Sequence, residues 1–208
     1  GRECSAAEIP SSNSPMLHAM LSNLPCEITD AGIIADQLTD LETRLSALAS
    51  TTDIIVTTGG ASVGDHDLVQ TALRNIGADM DFWKVAMRPG KPVMAGKIGD
   101  TIVLGLPGNT TSAFVTAFLF LLPLIRHMAG SLSPLPEIFE AKIDNAMFSG
   151  GNRAEYVRAR VDGGAITAFT TRDSGLVSPL SHSNALIIRD VNAPATPAGA
   201  PVQYYRLF

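Results

Sequence analysis

Two near-continuous apolar or β-branched runs, Ile54-Ile-Val-Thr-Thr58 and Thr101-Ile-Val-Leu-Gly-Leu106, mark strands covered on both faces, as in sheets layered by helices. Around them the apolar spacing turns helical. Leu41, Leu45 and Leu48 predict a helix over 40–50, with Thr39 and Glu42 in the spacing of a capping box. Ser14-Pro15 opens a short helix over 16–24, and further helices are expected over 68–77 and 111–129. Strands are expected over 27–34 and 82–87, with a hairpin-like pair near 92–96 and 101–106. After Gly130 the helical spacing ends. Residues 131–136 (SLSPLP) read as a linker, and the remainder shows short β patterns broken by Gly, Asn and Pro. The expected fold class is α/β: a mainly parallel sheet sandwiched by helices over 1–130, then a small β-barrel over 131–208.

Composition narrows the class of partner. The chain has 208 residues, 46% of them hydrophobic, enough for a sizeable core. A formal net charge of −5 and the absence of basic runs argue against a general nucleic-acid binder. Cys4 and Cys26 are too few and too irregular for a disulfide framework or a zinc site, so a reducing, cytoplasmic setting is expected. The first residues show no charged segment followed by an apolar core. Ala113 to Ile125, the most apolar stretch, contains Thr116 and Pro123 and is too short to span a bilayer. It is expected to be a core helix, or one whose outer face meets a partner subunit.

The candidate chemistry sits where strands end. After Thr57 and Thr58, glycines at 59, 60 and 64 permit positive φ and close approach of a ligand to the backbone. Thr58 and Ser62 offer hydroxyls, and Asp65 and Asp67 offer carboxylates before the next helix. In open α/β sheets ligands bind beyond the carboxyl ends of the strands, which is where this loop is expected. A glycine-rich connector with an Asp helix cap accounts for the same residues. A second loop, Pro107-Gly108-Asn109-Thr110-Thr111-Ser112, precedes a helix whose free N–H groups suit an anion, or which Thr110, Thr111 or Ser112 simply caps. Between the loops lies Phe82-Trp-Lys-Val-Ala-Met-Arg-Pro-Gly-Lys-Pro92. An extended 82–88 puts Lys84, Ala86 and Arg88 on one face, the two cations roughly 13 Å apart at about 3.3 Å per residue, with Lys91 close behind. A solvated edge strand explains those charges equally well.

Thr57-Thr-Gly-Gly-Ala-Ser-Val-Gly-Asp-His-Asp67, Phe82-Trp-Lys-Val-Ala-Met-Arg-Pro-Gly-Lys-Pro92 and Gly105-Leu-Pro-Gly-Asn109, in this order, resemble the molybdopterin molybdenumtransferase family, which includes the E domain of gephyrin. The likeness extends to Ser11-Ser-Asn-Ser-Pro-Met-Leu17 and Asn152-Arg-Ala-Glu-Tyr-Val-Arg158. It implies molybdenum cofactor biosynthesis: binding of adenylylated molybdopterin, hydrolysis of its adenylyl bond, and insertion of molybdenum from molybdate with release of AMP. It also implies a homodimer, and a molybdopterin adenylyltransferase as the source of substrate. A chain of this family carries further domains ahead of the molybdopterin-binding one, so a C-terminal portion whose turnover draws on those domains is expected.

Carried over residue by residue, the resemblance gives Asp36 and Asp67 the holding of Mg²⁺ or the positioning of water. Lys84 and Arg88 take phosphate or molybdate charge, Arg88 standing where many relatives have lysine. Arg158 and Ser174 lie by the oxyanion, and Thr58, Gly59, Gly60, Ser62, Gly64, Asp65, Lys91, Pro107, Gly108, Asn109 and Ser112 bind substrate. On residues alone, Asp36 reads equally as a helix-start carboxylate, and Tyr156, Arg158 and Arg160 as an exposed strand face opposite Val157, Ala159 and Val161. Two positions depart from the family: Thr110 stands where proline is usual, and Arg172-Asp173 precede Ser174. A non-catalytic molybdopterin-binding module and a scaffold that binds a partner along helix 111–129 are the competing readings.

Overall fold

A computed structural model describes residues 11–59, 68–169 and 177–207, and only the backbone of Phe82, Trp83 and Lys84. The first sheet has the order β1-β5-β4-β2, with β1 at Ile54–Thr58, β2 at Asp79–Lys84, β4 at Pro92–Ile98 and β5 at Thr101–Leu106. β1 and β5 run parallel, Thr58 opposite Leu106, whereas β4 is antiparallel to both β5 and β2. The mainly parallel sheet is therefore a mixed one. The physical reason is the two-residue turn at Gly99-Asp100, where Gly99 has φ 56° and returns the chain at once beside β4.

Alternation along the strands loads both faces. Ile55, Val103 and Met94 pack against Leu41, Leu45 and Leu73 from α2 (Leu38–Ala49) and α3 (Leu68–Asn75). On the other face Leu104, Leu106 and Val93 meet α1 (Asn13–Leu21) and a long helix in three parts. That helix comprises α4 (Thr110–Thr116), a π-helical turn (Ala117–Leu121) and α5 (Leu122–Met128). Pro123 has no N–H to donate and its ring presses on the preceding turn, which is where the wider π turn lies. The helix is long and apolar enough to cross a membrane, but 67% of it is buried in the core. Thr111 through Phe118 are all buried, whereas Leu119, Phe120 and Leu124 are half-buried and Met128 is 44% exposed, so the helix keeps an outer face only over its second half.

Three expected elements differ. Residues 27–34 form no strand: Asp30 accepts the Gly32 N–H at 2.8 Å and the Ser14 hydroxyl at 2.6 Å, a local turn that leaves Ile33 89% exposed. Thr39 lies inside the first turn of α2 instead of capping it; Gln37 holds the cap position without a side-chain bond. The extended segment 82–88 is broken. β2 ends at Lys84, and Met87–Arg88 form β3 in the other sheet, so the alternation that set Lys84 and Arg88 on one face does not run through.

That second sheet closes on itself. β6 (Ile138–Ile143), β7 (Ala154–Asp162), β8 (Ala165–Ala168), β9 (Ala185–Arg189) and β10 (Pro201–Arg206) follow the order β7-β8-β6-β10-β9, and β9 returns to β7. This is a five-stranded barrel, with β3 added parallel to β7 so that Arg88 lies opposite Glu155. Ile143, Ile166, Ile187 and Tyr204 fill its interior. Outward residues of the barrel join the helical layer: Tyr205 lies 5.9 Å from Phe118 and 6.3 Å from Tyr156, ring centre to ring centre. Leu186 and Leu207 belong to the same core as Leu106 and Phe118, so apolar packing is continuous from sheet to barrel.

Candidate functional site: a strand edge and a cationic cleft

Parallel pairing brings the ends of β1 and β5 to one edge. Gly59 donates its N–H to the Leu106 carbonyl at 3.2 Å, and a Cβ on Gly108 would lie 3.4 Å from the Gly59 Cα, so the two loops adjoin through their described residues. Asn109 caps the long helix, its Oδ1 accepting the Ser112 N–H at 3.1 Å. Thr110, Thr111 and Ser112 follow as first-turn residues, which corrects their expected capping role. The Thr110 hydroxyl instead meets Ser12 Oγ at 2.8 Å and ties α1 to this edge, a contact that proline would not make. Beside it Asn13, 7% exposed, donates Nδ2 to the Gly108 carbonyl at 2.9 Å. Among the described residues, Asn13 Oδ1 and Thr57 Oγ1 are buried without a hydrogen-bond partner.

The second neighbourhood is a cleft of about 440 Å³ between the barrel wall and the Arg88–Pro92 turn. Gly90 allows that turn to lie on α4: at φ 110° it approaches Thr116 so closely that a Cβ would sit 2.5 Å from Cγ2. Among the described residues, five cationic side chains, Arg88, Lys91, Arg153, Arg158 and Arg189, and one carboxylate, Glu155, line the cleft. Glu155 is already engaged, since Arg189 Nη1 donates to its Oε2 at 3.0 Å and Nη2 to the Pro194 carbonyl at 2.7 Å. Glu155, Arg158 and Arg189 are 8%, 6% and 5% exposed, so these charges act in a partly desolvated wall. Tyr156 also lines the cleft; burial, reinforced by Tyr205 and Asp190, pushes its phenol above the ordinary value of 10.0. Among the described residues the cleft lining is thus predominantly cationic, in a chain whose net charge is −5.

The expected site residues divide between these neighbourhoods. Thr58, Gly59, Pro107, Gly108 and Asn109 are at the strand edge. Arg88, Lys91, Ser112 and Arg158 line the cleft, and the Ser112 N–H on Asn109 links the two. Asp36 belongs to neither; it is exposed in the bend ahead of α2. Lys84 ends β2, and its side chain lies outside the described residues, as do Gly60, Ser62, Gly64, Asp65, Asp67 and Ser174. Arg160 is exposed while Arg158 is buried, so the two do not share one exposed strand face. Arg153, Arg189 and Asn13 were given no role by sequence. The signal for Arg189 was a lone charge closing the apolar run Ala185-Leu-Ile-Ile188.

Comparison with known proteins places these features in context. The family described as "Probable molybdopterin binding domain" matches residues 1–127, and "MoeA C-terminal region (domain IV)" matches 140–207. A molybdopterin molybdenumtransferase of Staphylococcus aureus is 30% identical over 188 residues, 87% of this chain and 44% of the relative. One from Nostoc is 31% identical over 209 residues, 96% of this chain and 48% of the relative. One from Haemophilus influenzae is 35% identical over 130 residues, 62% of this chain and 32% of the relative. The chain thus spans less than half the length of each of these curated relatives. Among solved structures, the molybdopterin biosynthesis moea protein of Pyrococcus horikosii superposes with a TM-score of 0.85 at 22% identity, covering 100% of this chain and 51% of that one; the likeness is one of fold.

Proposed function

The chain belongs to the molybdopterin-binding domain family and continues into a MoeA C-terminal region, and from that premise we propose that it takes part in molybdenum cofactor biosynthesis as the binding and insertion portion of a molybdopterin molybdenumtransferase. The observation that supports this reading is the cleft whose described lining carries five cationic side chains and one carboxylate, Glu155, which Arg189 engages. Its substrates are adenylylated molybdopterin and molybdate, both anions. Hydrolysis of the adenylyl bond adds water oxygen to phosphorus as the bridging P–O bond breaks, and AMP leaves. The products together carry more negative charge than the reactant, so fixed cations in a partly desolvated wall stabilise the charge as it develops. Arg158 and Arg88 supply planar forks suited to oxyanions, and exposed Lys91 supplies a mobile point charge at the opening.

Mg²⁺ belongs to this proposal only in part. The ion takes one or two carboxylates along with substrate phosphates. Asp36 is one exposed carboxylate, and the described residues contain no cluster of three His, Cys, Asp or Glu side chains to complete a site. Asp67, the expected companion of Asp36, lies outside the described residues, and the proposed chemistry is derived from the cations of the cleft. The reading also carries a homodimer, an adenylyltransferase partner, a cytoplasmic setting, and a division into units at 1–130 and 131–208.

Titration calorimetry with AMP and with molybdate tests the cleft. Lys91→Ala, an exposed position with no fold to disturb, should weaken at least one ligand by about tenfold or more, and less so at high salt. Unchanged affinity for both would remove the cleft from the site.

A further inference from the structure

Asn13 sits at the strand edge with its amide nitrogen engaged and its amide oxygen open. Nδ2 donates to the Gly108 carbonyl at 2.9 Å, while Oδ1, in a side chain only 7% exposed, has no partner among the described residues. A buried acceptor left unpaired costs about 1–3 kcal/mol, which is why such groups are nearly always satisfied. Rotating the amide gives no relief, because it would turn Oδ1 against the Gly108 carbonyl. The Gly108 contact therefore fixes Oδ1 as an acceptor. Asn13 also opens α1, a helix of nine residues, and its neighbour Ser12 is held to Thr110 at 2.8 Å, so the amide is anchored from both sides.

We propose that Asn13 is a ligand-orienting residue of the strand-edge site: its Oδ1 accepts a hydrogen bond from an N–H or O–H of the bound molecule, while Nδ2 locks the amide through Gly108. The inference rests on the binding function proposed above and adds a direction to it. A phosphate or molybdate oxyanion has no donor to offer Oδ1. The end of the ligand at Asn13 is accordingly its neutral, donor-bearing end, either the aminopyrimidinone edge of a pterin or the hydroxyl or amine of a nucleoside. The anionic end points toward the cleft of Arg88, Lys91 and Arg158, with Asn109 and Ser112 between.

The test uses the full chain, a simple pterin and AMP as separate probes, and the variants Asn13→Ala and Asn13→Asp. Calorimetry should show Asn13→Ala weakening the probe whose donor meets Oδ1 by about tenfold, the other probe being unaffected; the affected arm identifies the donor. Asn13→Asp keeps an acceptor but sets its second carboxylate oxygen against the Gly108 carbonyl, so it should lose part of that affinity and clearly less than Asn13→Ala does. In the absence of ligand, Asn13→Ala deletes one hydrogen bond and one unmet acceptor together, so its melting temperature should stay within about 3 °C of wild type. Unchanged affinity for both probes in Asn13→Ala overturns the inference, as does equal loss in Asn13→Ala and Asn13→Asp, which would make the residue a pin for Gly108 alone. A wild-type chain that binds neither probe overturns the binding function itself, and the inference with it.

Discussion

Arg189→Met should be among the most damaging single substitutions in the barrel, although it preserves the apolar stem and most of the volume. Arg189 and Glu155 are a directly opposed pair on β9 and β7, and both are almost fully buried. The substitution removes the 3.0 Å ion pair and the 2.7 Å bond to Pro194, and leaves the Glu155 carboxylate desolvated without its partner. Breaking one side of a buried pair costs about 3–5 kcal/mol, whereas replacing both sides by apolar groups is often neutral. A loss of that size is about a third or more of the stability of an ordinary domain, and corresponds to a drop of about 6–20 °C in melting temperature. Urea denaturation of wild type, Arg189→Met, Glu155→Met and the double variant gives the cycle. The double variant should be more stable than Arg189→Met alone, because the stranded charge is gone. A single-variant loss below about 1 kcal/mol, or simple additivity, would show that the carboxylate finds water or another cation and that the wall is wetter than its burial implies.

Two further outcomes follow from individual contacts. Asn109→Ala should cost about 1 kcal/mol and lower the melting temperature by roughly 2–4 °C, since the Ser112 N–H loses its acceptor; an unchanged melting curve would mean that solvent caps the helix equally well. Phenolate absorbance titration should show a step above the ordinary value of 10.0, and Tyr156→Phe should remove that step. Because the folded-state value is raised, the stability Tyr156 contributes is fully present below the unfolded value and is lost as pH rises through the folded one. A curve that Tyr156→Phe leaves without loss of any step above 10.0 would show that the Tyr156 ring is open to solvent.

What was legible in the sequence depended on how local the deciding forces are. β1 matches its expected span residue for residue, and the 92–98 and 101–106 strands pair as a hairpin, because apolar runs and a glycine turn decide both within a few residues. The barrel was legible as a class from short strands and turn residues. Segment 27–34 misled because its apolar residues suggested a strand, while Asp30 and Ser14 closed a turn across 16 positions. The break after Lys84 was invisible for a similar reason: β3 exists only because β7, more than sixty positions later, offers it a pairing edge. In the site, the cations of the Arg88–Lys91 turn were visible as charges in an apolar context, whereas the open acceptor of Asn13 emerges only once Gly108 is placed against it.

The donation of Met87 and Arg88 to the barrel limits how this protein could be recombined. Exposed Leu132 and Leu135 make the 131–136 segment look like a natural crossover point for exchanging C-terminal modules between relatives. A barrel transplanted there would arrive with the outer edge of β7 bare opposite Ala154 and Glu155, and with Tyr156, Leu186 and Tyr205 turned toward water. The recipient would also have to supply the cations of the Arg88–Lys91 turn in register with Arg153 and Arg158. Sequence exchange at the linker is thus constrained by a two-residue strand that lies more than forty positions upstream of it.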